Sequence, residues 1–98
     1  MGDITSTCTL KVQAQLGGLN LAIIKTVATA DDGDTIELDT LLDANGGYHV
    51  KQVMFAVAEL DPTGTALLDP IIYSDTTDTL TLGGSTDNKR RDILVAWV

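Results

Sequence analysis

An all-β fold, a small antiparallel β-sandwich or jelly-roll-like barrel of six to seven strands, is what this sequence predicts, and three observations carry the prediction. Short segments that alternate polar with apolar residues, or that concentrate β-branched ones, are divided by Gly, Asp and Asn. Fourteen threonines suit solvent-facing strand positions. The chain closes on Ile93-Leu94-Val95-Ala96-Trp97-Val98, apolar to its last residue. That run is short for a helix, and its β-branched and aromatic residues favour a strand covered on both faces, by the protein's own second sheet or by another subunit.

Taken in order, Thr9 to Gln15 alternates, with Leu10, Val12 and Ala14 on one face and Lys11, Gln13 and Gln15 on the other. Gly17-Gly18 breaks it, and Leu21 to Ala28 forms a second strand carrying Ile23, Ile24 and Val27. Asp31-Asp32-Gly33 supplies turn chemistry before Thr35 to Asp39, so that the second and third segments read as a hairpin. Asn45-Gly46-Gly47 punctuates next. From Tyr48 to Leu60 both a helical stripe and a strand alternation fit; strand is chosen because the neighbours are strands. Asp61-Pro62-Thr63-Gly64 reads as a turn, and Leu67 to Tyr73 as an edge strand because Pro70 lacks a ladder donor. Thr79-Leu80-Thr81-Leu82 alternates cleanly, Gly83 to Asn88 is a polar loop, and Arg90 to Val98 closes the fold. No internal repeat or linker interrupts 1–98, which reads as a single β-sandwich domain.

Composition narrows the function classes. Fourteen acidic residues against six basic ones give a net charge of −8, a field that repels phosphates and disfavours nucleic acid and anionic membrane as partners. Twelve of the acids are Asp and two are Glu, which places the charge on turns. The single cysteine, Cys8, excludes an intramolecular disulfide and a cysteine zinc pair. Met1-Gly2-Asp3 lacks the pattern of a secretory signal and no apolar stretch reaches bilayer length, so a soluble compartment is expected.

No catalytic residue, cofactor site or metal site is assigned. Asp31, Asp32 and Asp34 around Gly33 offer carboxylates to Ca²⁺, but the full loop pattern and its closing Glu are missing, and an ordinary acidic turn is the simpler reading. His49 stands in no Ser-His-Asp arrangement, and Ser6, Ser74 and Ser85 sit in no nucleophile elbow. Cys8, between two threonines, reads as a small buried filler. The pairs Gly17-Gly18, Gly46-Gly47 and Gly83-Gly84 lack the lysine or helix start of a phosphate cradle and read as turns. Lys89-Arg90-Arg91 gathers half of the basic residues just before the apolar strand. It is the candidate interaction site, able to meet the acidic turns of another copy, or else a solvated strand entry balanced by Asp87 and Asp92. Trp97 and Phe55 are the large anchors, in the core or at an interface, and Trp97 joins the candidate interaction set.

The segments Thr26 to Leu38, Val53 to Ala58, Asp61-Pro62-Thr63-Gly64 and Ile93 to Val98 together resemble the small β-rich structural proteins of tailed bacteriophages, over roughly residues 20 to 98. The resemblance implies a virion component, a capsid decoration or cement protein made in the host cytoplasm, that works by assembly and is not an enzyme. The expected partners are further copies of the chain, with a trimer favoured, and the major capsid protein or another virion protein. A glycan- or peptide-binding sandwich module is the alternative, with Tyr48, Tyr73, Phe55 and Trp97 as its only rings.

Overall fold

The computed structural model describes residues 2–44, 52–60 and 67–98. A 3₁₀ turn (Thr5–Thr7) leads into β1 (Thr9–Leu16) and β2 (Leu19–Lys25), followed by β3 (Thr35–Glu37) and the short helix α1 (Leu38–Ala44). Four strands complete the chain: β4 (Val53–Leu60), β5 (Leu68–Ser74), β6 (Thr79–Leu82) and β7 (Arg91–Trp97). All seven form one antiparallel sheet in the order β1-β2-β7-β4-β5-β6-β3, curled around a shared core. The predicted all-β class is the one observed.

The sheet curls at β5, which pairs with β4 through Leu68 to Pro70 and with β6 through Ile71 to Ser74. Pro70 sits where the strand changes partner, so its missing N–H interrupts neither ladder, while its carbonyl accepts the Gly83 amide at 3.0 Å. The expectation that Pro70 marks a sheet edge is thereby corrected. The true edges are β1 and β3, and β3 is partly covered by the N-terminal segment: Ile4 N donates to Thr35 O and Thr35 N to Gly2 O, each at 2.8 Å.

Two other expectations change. The strands read as a hairpin, Leu21 to Ala28 and Thr35 to Asp39, do not pair: β2 lies between β1 and β7, and β3 pairs with β6. The hairpin is β1–β2, closed by Gly17-Gly18 with Gly17 at φ +61°, the left-handed conformation that a two-residue hairpin turn requires at its first position. Strand β3 also stops at Glu37, because Leu38, Leu41 and Leu42 have the i, i+3, i+4 spacing of one helical face and are buried together. The predicted turns at Asn45-Gly46-Gly47 and Asp61-Pro62-Thr63-Gly64 lie outside the described residues, as does the start of the predicted strand at Tyr48.

The core lies between the two halves of the curled sheet. Ala22 and Ile24 of β2, Ala58 of β4 and Ile93, Val95 and Trp97 of β7 face Ile36, Leu80 and Leu82 of the β3–β6 half and the leucines of α1. Burial of each large side chain here contributes about 1.5–3 kcal/mol. A register shift at Lys11 breaks the expected alternation of β1, turning Leu10 onto the core and leaving Val12 on the opposite, solvent face, 49% exposed.

Candidate functional site

The basic cluster is divided by the first residue of β7. Arg91 follows the inward parity of Ile93, Val95 and Trp97, and its side chain is wholly buried. Its Nη1 donates to the carbonyls of Ala30 and Lys89 at 3.0 Å each, and its Nη2 to that of Thr86 at 2.6 Å. Nη2 also faces Asp69 Oδ2 at 3.8 Å. Its backbone is tied to Thr26, whose Oγ1 accepts the Arg91 amide and whose amide donates to the Arg91 carbonyl. Removing a guanidinium from water costs several kcal/mol, offset here by charge-assisted bonds worth about 1.5–3 kcal/mol each. Arg91 is therefore a clamp between the segment after β2 and the loop before β7, not a surface contact.

The same loops are joined by the acidic turn. Asp31 Oδ1 accepts the Asn88 amide, Asp32 Oδ1 the Ser85 amide, and Asp87 Oδ1 the Asp32 amide, at 2.8, 3.2 and 3.1 Å. Asp34 is buried, with Oδ1 on the Gly2 amide and Oδ2 on the Asp31 amide. Carboxylates in this arrangement hold backbone N–H groups, and among the described residues no group of three or more ligating side chains is poised for a metal ion. Gly84 belongs to the same junction, at φ +89° with a Cβ position 2.4 Å from the Asp69 carboxyl carbon, so only glycine fits there.

Of the other predicted interaction residues, Trp97 is buried completely, in the core rather than at a surface, and Phe55 is 53% exposed. Lys89 is exposed, and Arg90 donates from Nη1 to Asp92 Oδ1 at 3.0 Å. Lys11 Nζ reaches the other oxygen of Asp92 at 3.1 Å, so that carboxylate lies between two cations. His49 and Tyr48 lie outside the described residues.

Cys8 lines an open groove of about 490 Å³ with Asp3, Thr5, Ser6, Glu37, Thr40 and Leu41. Burial first, and the Asp3 carboxylate second, raise its thiol from 9.0 to about 11, the opposite of what a nucleophile needs. Asp3 itself is held below the ordinary carboxylate range by hydrogen bonds from the Thr5 hydroxyl and amide. Tyr73 is raised, by burial and then by its hydrogen bond to Asp78.

What the sequence did not place is the extent of the outer face of the β1-β2-β7-β4-β5 half, beyond the two covered faces expected of the terminal strand. Register places Val12, Ile23, Leu94, Val57 and Pro70 side by side in one transverse row. Ala14, Leu21, Ala96 and Phe55 form the next. Leu16 and Leu68, 64% and 61% exposed, extend the surface outward. A groove of about 280 Å³ crosses it, lined by Ile23, Val57, Leu68 and Leu94 and by the charged Lys11, Glu59 and Asp92. The signal was present in the terminal strand: Leu94, Ala96 and Val98 have the outward parity and are apolar. Comparisons with family models, with curated proteins and with solved structures find no match to the chain.

Two outcomes follow. Replacing Arg91 with Ala removes three donors from one buried and two part-buried carbonyls and should cost about 3–5 kcal/mol in a urea titration, with Arg91→Lys still damaging, whereas Lys89→Ala should stay within about 0.5–1 kcal/mol. For Cys8, a folded value raised above the unfolded one means that the neutral thiol favours folding below pH 9.0, an effect lost as pH rises toward about 11. Alkylation at pH 8 should thus run about a hundredfold slower in the folded chain than in the urea-unfolded one, and Cys8→Ala should flatten the alkaline fall in stability.

Proposed function

We propose that the chain is a structural protein of a virus particle, a capsid decoration or cement protein that acts by self-association and by binding the capsid lattice, and that it catalyses no reaction. The observation that carries this reading is the apolar outer face of the sheet. Exposed patches of that extent mark interaction surfaces, and a net charge of −8 argues against phosphate-bearing partners, whether nucleic acid or anionic membrane. The resemblance of the segment order to small phage structural proteins points in the same direction. A glycan-binding role has thinner support, because among the described rings Trp97 lies in the core, Tyr73 has its hydroxyl taken by Asp78, and Phe55 stands on the apolar face beside Ala96.

In this reading the chain is made in the host cytoplasm and ends in the virion, held by the major capsid protein or another particle component. Quantitative mass spectrometry of gradient-purified particles from a virus that encodes the chain tests it directly. The expected result is a fixed, multi-copy stoichiometry relative to the capsid protein, with added chain rebinding saturably to particles stripped of it. Absence from the particle, or trace recovery that scales with washing, would contradict it.

A further inference from the structure

We propose that the outer face of the β1-β2-β7-β4-β5 half is a two-fold interface, occupied by the same face of a second copy with the axis running nearly parallel to β7. This deepens the assembly reading and rests on it. The exposed parts of Val12, Ala14, Leu16, Phe55, Leu68, Pro70, Leu94 and Val98 amount to roughly 600–700 Å². That reaches the top of the ~300–600 Å² range for the largest patch on an ordinary monomer and approaches the ~800 Å² that each partner contributes to a standard interface.

The pattern on the face selects a copy of itself as occupant. Strand β7 is the middle of the five strands, and a two-fold axis along it exchanges β2 with β4 and β1 with β5 while keeping each transverse row over itself. In the central row Leu94 then meets Leu94 of the other copy, and Ile23 meets Val57. In the next row Leu21 meets Phe55 on either side of the Ala96 pair, which is already nearly covered within each copy. The polar row is Lys25-Asp92-Glu59, in which Glu59 stands directly across from Asp92 within the sheet, a like-charge pairing. Folding back on itself, this row sets Lys25 of each copy over Glu59 of the other. Asp92 meets its counterpart at the axis, already neutralised by Lys11 and Arg90. An in-plane axis at right angles to β7 would bring β2 over β2 and place Lys25 away from Glu59. Sheets that pack this way keep their strands within about 30° of each other, which the single central strand permits. One self-complementary face closes after two copies, so the expected species is a dimer in place of the trimer read from the sequence.

Analytical ultracentrifugation of the full chain across concentration, on wild type and four variants, tests the arrangement. Leu94→Glu places a charge at the axis and should weaken dimerisation by about a hundredfold or more, with circular dichroism and thermal unfolding of the monomer unchanged because the side chain is already 37% exposed. Lys25→Glu and Glu59→Lys each set like charges against each other twice per dimer and should each weaken it by roughly tenfold; the double reversal should recover most of the wild-type affinity. Recovery separates a contact between copies from an effect within one, since β7 stands between residues 25 and 59 in the sheet. A wild type that stays monomeric to about 1 mM would overturn the proposal, and so would a trimer, or an oligomer indifferent to all four variants. An indifferent oligomer would leave the assembly reading standing on another surface, whereas a monomer also missing from purified particles would remove both.

Discussion

The structure depends on one strand having two apolar faces. β7 lies at the centre of its half of the sheet, paired along one edge with β2 and along the other with β4. Its inward positions, Ile93, Val95 and Trp97, fill the core with no exposure at all. Of its outward positions, Leu94 and Val98 carry the same apolar chemistry into solvent, with Ala96 nearly covered between them. A strand at this position cannot be omitted from folding, because the hydrogen-bonded sheet runs from β2 to β4 through it. The fold closes only when the last residues of the chain reach partners about 40 and 70 residues earlier, a topology of long-range contacts that folds slowly.

Arg91 sets where that strand begins. A guanidinium inside the protein is tolerated because three carbonyls from two loops converge on it, and because Asp69 stands close by. Those loops are also joined by Asp31, Asp32 and Asp87 on backbone amides. A good part of the chain's acidity is thus structural, and it gathers at one end of the sheet. The outer face carries few charges by comparison, and the contrast between a polar, internally satisfied end and a broad apolar face is what favours an assembly role over a ligand-binding one.

Much of the fold was legible in the sequence, and the failures have specific causes. Strand positions were readable because alternation is local: Thr79 to Leu82 and Arg91 to Trp97 fall where the pattern puts them. Pairing was not, since nothing near Asp31-Asp32-Gly33 distinguishes a hairpin turn from a crossing to the far side of the sheet. The bulge at Lys11 shifted Val12 to the other face through a backbone irregularity that carries no residue signature. The burial of Arg91 could have been found, because its parity with Ile93, Val95 and Trp97 is visible; the charge triplet drew the eye to a surface instead. Residues apolar on both sides of β4 and β7 said that two faces needed covering, but which one the chain covers by itself is a question of curvature, and the sheet curls toward Trp97.

The central claim is that the outward face of β7 and its neighbours is covered in the working state. Hydroxyl-radical footprinting across a concentration series, read by mass spectrometry at Phe55, Leu68 and Leu94, measures that cover directly. All three side chains should react in dilute solution, in keeping with exposures of 53%, 61% and 37%, and become protected as concentration rises, while exposed Leu67, which precedes β5, keeps its reactivity. Reactivity at Phe55, Leu68 and Leu94 that is constant with concentration would contradict the account.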